Sequence, residues 1–149
     1  MTVDDSSRIV LKDLIRKVGL RATASRVAVL QLLRSAQHPL SHADVSEALS
    51  KEPWDRATLY RNLMDLSEAG LLRRVSLGST WRFEQEQDSN KNSNQGHPHF
   101  VCTECGTVEC VPELRMQVSK NTQASTKAIQ QGAFDVQLHG LCNDCTQSS

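Results

Sequence analysis

Two cysteine pairs, Cys102-Thr-Glu-Cys105 and Cys142-Asn-Asp-Cys145, constrain this chain more than any other feature in it. In each pair two thiolates can turn around one metal ion, and two such knuckles complete a tetrahedral site. Four sulfurs in that geometry suit zinc, which brings no redox chemistry of its own. The 36 residues between the pairs exceed the usual zinc-ribbon interval, so a folded segment has to bring them together. One pair alone reads equally well as a thioredoxin-like redox motif or part of a disulfide framework. Two pairs in a chain of 149 residues point to a structural zinc on Cys102, Cys105, Cys142 and Cys145.

The bulk properties fit a metal-stapled protein. A chain of this length is one medium domain or two small ones, and units below about 70–80 residues often need a staple. No apolar run approaches the roughly 20 residues of a membrane span, and the first residues lack a signal-peptide core. The expectation is a cytoplasmic protein, where paired cysteines hold metal more often than they form disulfides. Residues 1–84 carry 13 Lys and Arg against 10 Asp and Glu, and residues 85–149 carry 4 against 7. A front half at +3 and a back half at −3 suggest two units with different partners.

The front half has helical spacing. Ile9, Val10, Leu11, Leu14, Ile15 and Val18 predict a helix over 8–18 that Gly19 stops. Thr23 caps a second helix to about residue 36, and the capping box from Ser41 to Asp44 opens a third to about residue 50. Asp55 caps a fourth, with Leu59, Leu63 and Leu66 inward and Gly70 at its end. Residues 71–75 and 80–83 then read as a hairpin turning at Gly78-Ser79. Helices followed by a hairpin are the order of a winged helix-turn-helix, whose last helix enters the DNA major groove. Arg56, Thr58, Tyr60 and Arg61 lie near the start of that helix, where bases and phosphates are met. Exposed arginines on a helix are more often a solvated face. It is their place before a wing that argues for DNA.

Residues 85–96 contain no apolar residue and read as a flexible hinge loop. In the back half, His97 and His99 fall on one side of an extended segment. They are ready to chelate zinc, iron, nickel or manganese, with Glu84, Cys110 and His38 as further candidate ligands. Exposed histidines with no role, and Cys110 as a small packed residue, are the plain alternatives. His42 and His139 read as ordinary surface or packing residues. Residues 107–111 predict a strand, 113–131 a weakly amphipathic helix, and 134–139 a strand leading into the second cysteine pair. The expected class is α+β. An N-terminal winged helix-turn-helix domain (1–84) and the hinge (85–96) precede a small zinc-stapled α/β dimerisation domain (97–149), with an exposed sheet edge suited to a second subunit.

Taken in order, Gly19-Leu20-Arg21-Ala22-Thr23 with Arg26, Ala57-Thr58-Leu59-Tyr60-Arg61 with Gly70-Leu71, the segment from His97 to Gly106, and Gly140-Leu141-Cys142-Asn143-Asp144-Cys145 closely resemble the ferric uptake regulator family of bacterial metal-dependent repressors. The resemblance runs over residues 10–145. It implies a homodimer that binds a palindromic operator in double-stranded DNA, with a structural zinc on the four cysteines. It also implies a regulatory divalent metal at the hinge, held by Glu84, His97, His99 and a residue near His38-Pro39. Tyr60 and Arg61 fall on the family's DNA-reading helix and Arg21 on its backbone-contacting segment.

The chain departs from the family pattern in a longer loop before His97 and in Cys110, which stands where many members carry a carboxylate. A thiol there favours zinc over iron or manganese. Against this, zinc-responsive relatives often place a cysteine where this chain has Glu84. An iron- or manganese-loaded peroxide or redox sensor is the alternative within the family. No Ser/His/Asp set, phosphate loop or Glu-x-x-His zinc pattern appears, and four cysteines leave a zinc no open position, so no enzyme and no small organic substrate are expected.

Overall fold

The computed structural model describes residues 3–86, 98–114, 126, 127, 129 and 136–148. The chain divides into two units, Met1–Glu86 and Gln87–Ser149.

The first unit opens with α1 (Val3–Lys17), which buries Leu11 and Ile15. It begins earlier than the apolar spacing predicts, because its first residues are polar and carry no periodicity. The second helix, α2 (Ala24–Ser35), is capped by the Thr23 hydroxyl, which accepts the Arg26 N–H. A two-residue strand, β1 (Leu40–Ser41), leads into α3 (His42–Ala48). Ser41 and Asp44 make both bonds of the capping box expected there. The fourth helix, α4 (Arg56–Glu68), starts at Asp55, whose carboxylate accepts the Thr58 N–H at 2.8 Å. It ends where Gly70 takes a φ of 81°. The Gly70 N–H then reaches Ser67 O, and the Leu71 N–H reaches back to Leu66 O at 3.0 Å. This termination needs a left-handed residue at Gly70, which only glycine adopts without strain.

The hairpin follows as β2 (Leu72–Leu77) and β3 (Thr80–Gln85), turning at Gly78. Gln85, assigned to the hinge by composition, is the last residue of β3 and pairs with Leu72. The sheet order is β1-β3-β2, with Leu40 opposite Phe83. One core holds the unit together: Leu11 and Ile15 from α1, Val27, Leu30 and Leu33 from α2, Val45 from α3, Leu59, Leu63 and Leu66 from α4, and Leu72 and Phe83 from the hairpin. Each such side chain contributes about 1.5–3 kcal/mol by leaving water. That burial holds α4 against the helices through Leu59, Leu63 and Leu66, and leaves Arg56, Ala57, Tyr60 and Arg61 exposed. Helix-turn-helix followed by a wing is therefore the observed architecture of this unit.

The second unit is a sheet of order β5-β4-β6, from β4 (His99–Cys102), β5 (Val108–Cys110) and β6 (Gln137–Gly140). Antiparallel pairing sets His99 opposite Cys110, and parallel pairing sets Cys102 opposite Gly140. A short helix, α5 (Asn143–Gln147), not expected from the sequence, carries the last cysteine. Among the described residues the last strand begins at Gln137; its expected start, at 134 and 135, lies outside them. The amphipathic helix expected over 113–131 also lies outside them, apart from residues 113, 114, 126, 127 and 129.

Candidate metal centres and nucleic-acid interface

The parallel register of β4 and β6 brings the two cysteine pairs together. Because Cys102 stands opposite Gly140, the chain leaves both strands side by side. The Thr103 N–H seals the exit by donating to Gly140 O at 2.8 Å. The first knuckle turns through Gly106, whose φ is 73° and whose N–H returns to Cys102 O at 3.0 Å. Cys142 is the N-cap of α5, which places Cys145 in that helix's first turn.

The sulfurs of Cys102, Cys105, Cys142 and Cys145 all lie within 4.8 Å of one another. Cys105 Sγ and Cys142 Sγ are 3.7 Å apart. That is far beyond the roughly 2.05 Å of a disulfide. It matches the edge of about 3.8 Å that a tetrahedron has when each metal–sulfur bond is about 2.3 Å.

The charge distribution fits a cation too. The Cys102 thiol is brought down to about 6, first by the N–H of Cys105 and then by that of Cys142, whose nitrogen is 3.4 Å from Cys102 Sγ. Cys105 is also lowered, mainly by the hydroxyl and N–H of Thr107. Cys145 is pushed up to about 12, chiefly by the sulfur of Cys142 and then by that of Cys105. The fold thus favours the thiolate at Cys102 and opposes it at Cys145. A bound dication would compensate that charge.

Of the other predicted ligands, His99 is buried on β4 and Cys110 half-buried on β5, their ligand atoms within 4.8 Å of each other. This cross-strand nitrogen–sulfur pair is set by register alone. Glu84 is half-buried on β3 opposite Arg73. His38 is exposed in the bend between α2 and β1, and its neighbour Pro39 is buried. His97 lies outside the described residues.

On α4, Arg56, Tyr60 and Arg61 are exposed, Tyr60 at 46 %. Thr58 is half-buried, and its N–H is held by the Asp55 cap. Arg21 is exposed just before α2, and its carbonyl is fixed by Arg26 Nη1 at 2.9 Å. The same guanidinium pairs with Asp65 of α4 at 2.5 Å, tying the Arg21 segment to α4. Sequence reasoning missed this tie, since nothing in the spacing of residues 26 and 65 announces it. It also set His42 aside. His42 Nε2 lies 2.8 Å from Arg56 O, and its ring meets Tyr60 edge-on with centroids 5.3 Å apart.

The chain carries a winged helix in its first unit and a four-cysteine cluster in its second. The model of the ferric uptake regulator family matches residues 17–145. The chain belongs to the ferric uptake regulator family. A ferric uptake regulation protein from Legionella pneumophila is 31 % identical over 135 residues, covering 88 % of this chain and 95 % of the relative. One from Cupriavidus metallidurans is 30 % identical over 136 residues, covering 88 % and 92 %. Among solved structures, a ferric uptake regulator from Pseudomonas aeruginosa with manganese superposes at a TM-score of 0.59, with 29 % identity over 90 % of this chain and 98 % of that one. As a member of the family the chain is a metal-responsive transcription regulator that works on DNA as a dimer, and it is not an enzyme. No helix among the described residues is long and apolar enough to cross a membrane.

Proposed function

We propose that this regulator is a cytoplasmic, zinc-responsive repressor of metal-homeostasis genes. Zinc on Cys102, Cys105, Cys142 and Cys145 is structural: all four positions of a tetrahedron are filled, leaving none for water or substrate. The sensed metal binds at the hinge on His97, His99, Glu84 and Cys110, with His38 a further candidate. Bound there, a metal supplies cross-links that limit how the two DNA-reading helices of a dimer are spaced. Tyr60, Arg61, Arg56 and Arg21 then meet both halves of an inverted-repeat operator together, with Thr58 in the first turn of the reading helix.

The observation that carries the choice of zinc is the His99–Cys110 pair. A nitrogen and a sulfur in one place select a borderline metal over the harder iron or manganese. The second reading is an iron- or manganese-loaded sensor of peroxide. Its choice of metal, though not its peroxide response, draws support from the relatives near 30 % identity, which are ferric uptake regulation proteins, and from the manganese in the Pseudomonas aeruginosa structure.

The deciding experiment measures metal content before and after mild chelation, then DNA binding to the chain's own promoter region as zinc, iron or manganese is returned. One zinc retained per chain, with binding restored by zinc at the lowest free concentration, supports the proposal. Restoration by iron or manganese alone, with release by peroxide, overturns it in favour of the second reading.

A further inference from the structure

The hairpin carries a feature that the reading helix does not explain. By register, Leu72, Arg74 and Ser76 of β2 share a face with Gln85, Phe83 and Trp81 of β3. Near the base of the hairpin, that face is apolar: Leu72 and Phe83 join the core with α4. Towards the tip it changes character. Trp81 is 52 % exposed, the most exposed large apolar side chain among the described residues. The Arg74 guanidinium lies over its ring at 4.2 Å from the centroid. Arg74 Nη1 is also 3.8 Å from Met64 Sδ on α4. Met64 is one helical turn beyond Arg61 and shares its side of the helix. One strip therefore runs from Tyr60 and Arg61 through Met64 to Arg74 and Trp81.

An indole left half in water has a cost, and a guanidinium on its face is restrained in direction while its N–H donors still point outward in its plane, one nitrogen of them weakly engaged by Met64 Sδ. Such an arginine suits a phosphate, since its planar fork of donors matches phosphate oxygens and it is weakly hydrated. We propose that Arg74, held by Trp81, binds a backbone phosphate of the operator beside the stretch read by α4, with the indole packing on the adjoining sugar. The contact is sequence-independent: it adds affinity and fixes the docking angle of α4, without reading a base. This inference rests on the DNA-binding reading of Tyr60 and Arg61.

The test uses the full-length metal-loaded dimer and a fluorescent duplex of its own promoter region, titrated at several salt concentrations. Arg74→Ala is expected to weaken binding about tenfold for each of the dimer's two wings, the worth of one charge-assisted hydrogen bond apiece, or about a hundredfold for the dimer. The slope of log affinity against log salt should flatten by roughly 0.9 for each phosphate released. Trp81→Ala should reproduce part of both changes and Trp81→Phe less, because a smaller ring still supports the guanidinium. Competition by unrelated duplex should weaken in parallel for both variants, leaving the preference for the operator unchanged. Both residues are exposed, and unchanged circular dichroism verifies the fold. In a Trp54→Phe background, Trp81 fluorescence should change on adding duplex.

Wild-type affinity and salt slope in Arg74→Ala would overturn the wing contact. Arg61→Ala in the same assay separates this from failure of the function itself. If Arg61→Ala loses binding and Arg74→Ala does not, only the wing proposal falls. If the wild-type protein binds no duplex at low salt, both readings fall.

Discussion

At the scale of single residues, the cysteine cluster is an unequal set of acids that a metal would make equal. Cys102 is brought down to about 6, while Cys145, near 12, keeps its proton at neutral pH. Metal binding must therefore expel protons, and acid must oppose it. The signs are definite. Cys102 is lowered in the folded chain, so its thiolate favours the metal-free fold at pH above the ordinary thiol range, and this is lost as pH falls through about 6. Cys145 is raised, so its contribution to that fold is present below the ordinary range and disappears as pH rises through about 12. With metal competing against protons, the zinc retained through gel filtration should fall as pH is lowered from neutral, because each sulfur must shed its proton to bind. Retention that does not fall even where acid unfolds the chain would refute the assignment. Cys105→Ser should take the retained zinc from one per chain to none, as read by elemental analysis, because three sulfurs leave the tetrahedron open.

At the scale of elements, the join between α3 and the hairpin is the most exposed to test. Asp44 accepts the Ser41 N–H at 2.8 Å as part of the capping box, and Arg82 of β3 reaches the same oxygen at 3.2 Å. Burial alone would raise the Asp44 carboxyl. The bonds from Ser41 and the charge of Arg82 outweigh it, so the group lies below its ordinary value. Its stabilising effect is thus present above the ordinary carboxylate value of 3.8 and is lost as pH falls through the lower folded value. Asp44→Ala should cost about 0.5–1.5 kcal/mol in denaturant unfolding, the usual net worth of a hydrogen bond, since Asp44 is the capping-box partner of the Ser41 cap. Asp44→Asn should keep part of the bond and lose its acid sensitivity.

This join also marks how far the sequence could be read. The capping box was legible because Ser41 and Asp44 are local, as were the Thr23 and Asp55 caps. The strand at Leu40–Ser41 was not, since two residues carry no periodicity and Ser41 already serves as a cap. The polar start of α1 was hidden for the same lack of pattern. In the sites, the four-cysteine cluster was written in spacing, whereas the pairing of His99 with Cys110 is a matter of register between strands. The His42–Arg56 bond and the Arg26 tie join distant residues through packing. Local chemistry could be read directly from the sequence. Contacts made only by tertiary structure could not.

At the scale of the whole molecule, regulation is a coupling between a metal site and a DNA site, and coupling has a size that can be measured. A metal that favours the DNA-competent dimer by about 1–3 kcal/mol changes affinity about 5–150-fold, and DNA must tighten the metal by the same factor. The proposed ligands divide this cleanly from folding, because the four cysteines form a separate cluster. His97→Ala and His99→Ala should each abolish the metal-stimulated part of DNA binding in anisotropy titrations. The dimer, by analytical ultracentrifugation, and the one retained zinc per chain should be unaffected. His99 is buried at 3 % exposure, so its removal also opens a space beside Cys110; His99→Gln, nearer in size, separates the lost ligand from the lost packing. If His97→Ala and His99→Gln both keep full metal stimulation, the hinge site is not where the signal is received, and the histidines return to being part of a strand and the segment before it. If stimulation is lost and the dimer persists, the reciprocal experiment follows directly: operator DNA should raise the affinity of the wild-type protein for its second metal, and should leave the variants' metal binding unchanged.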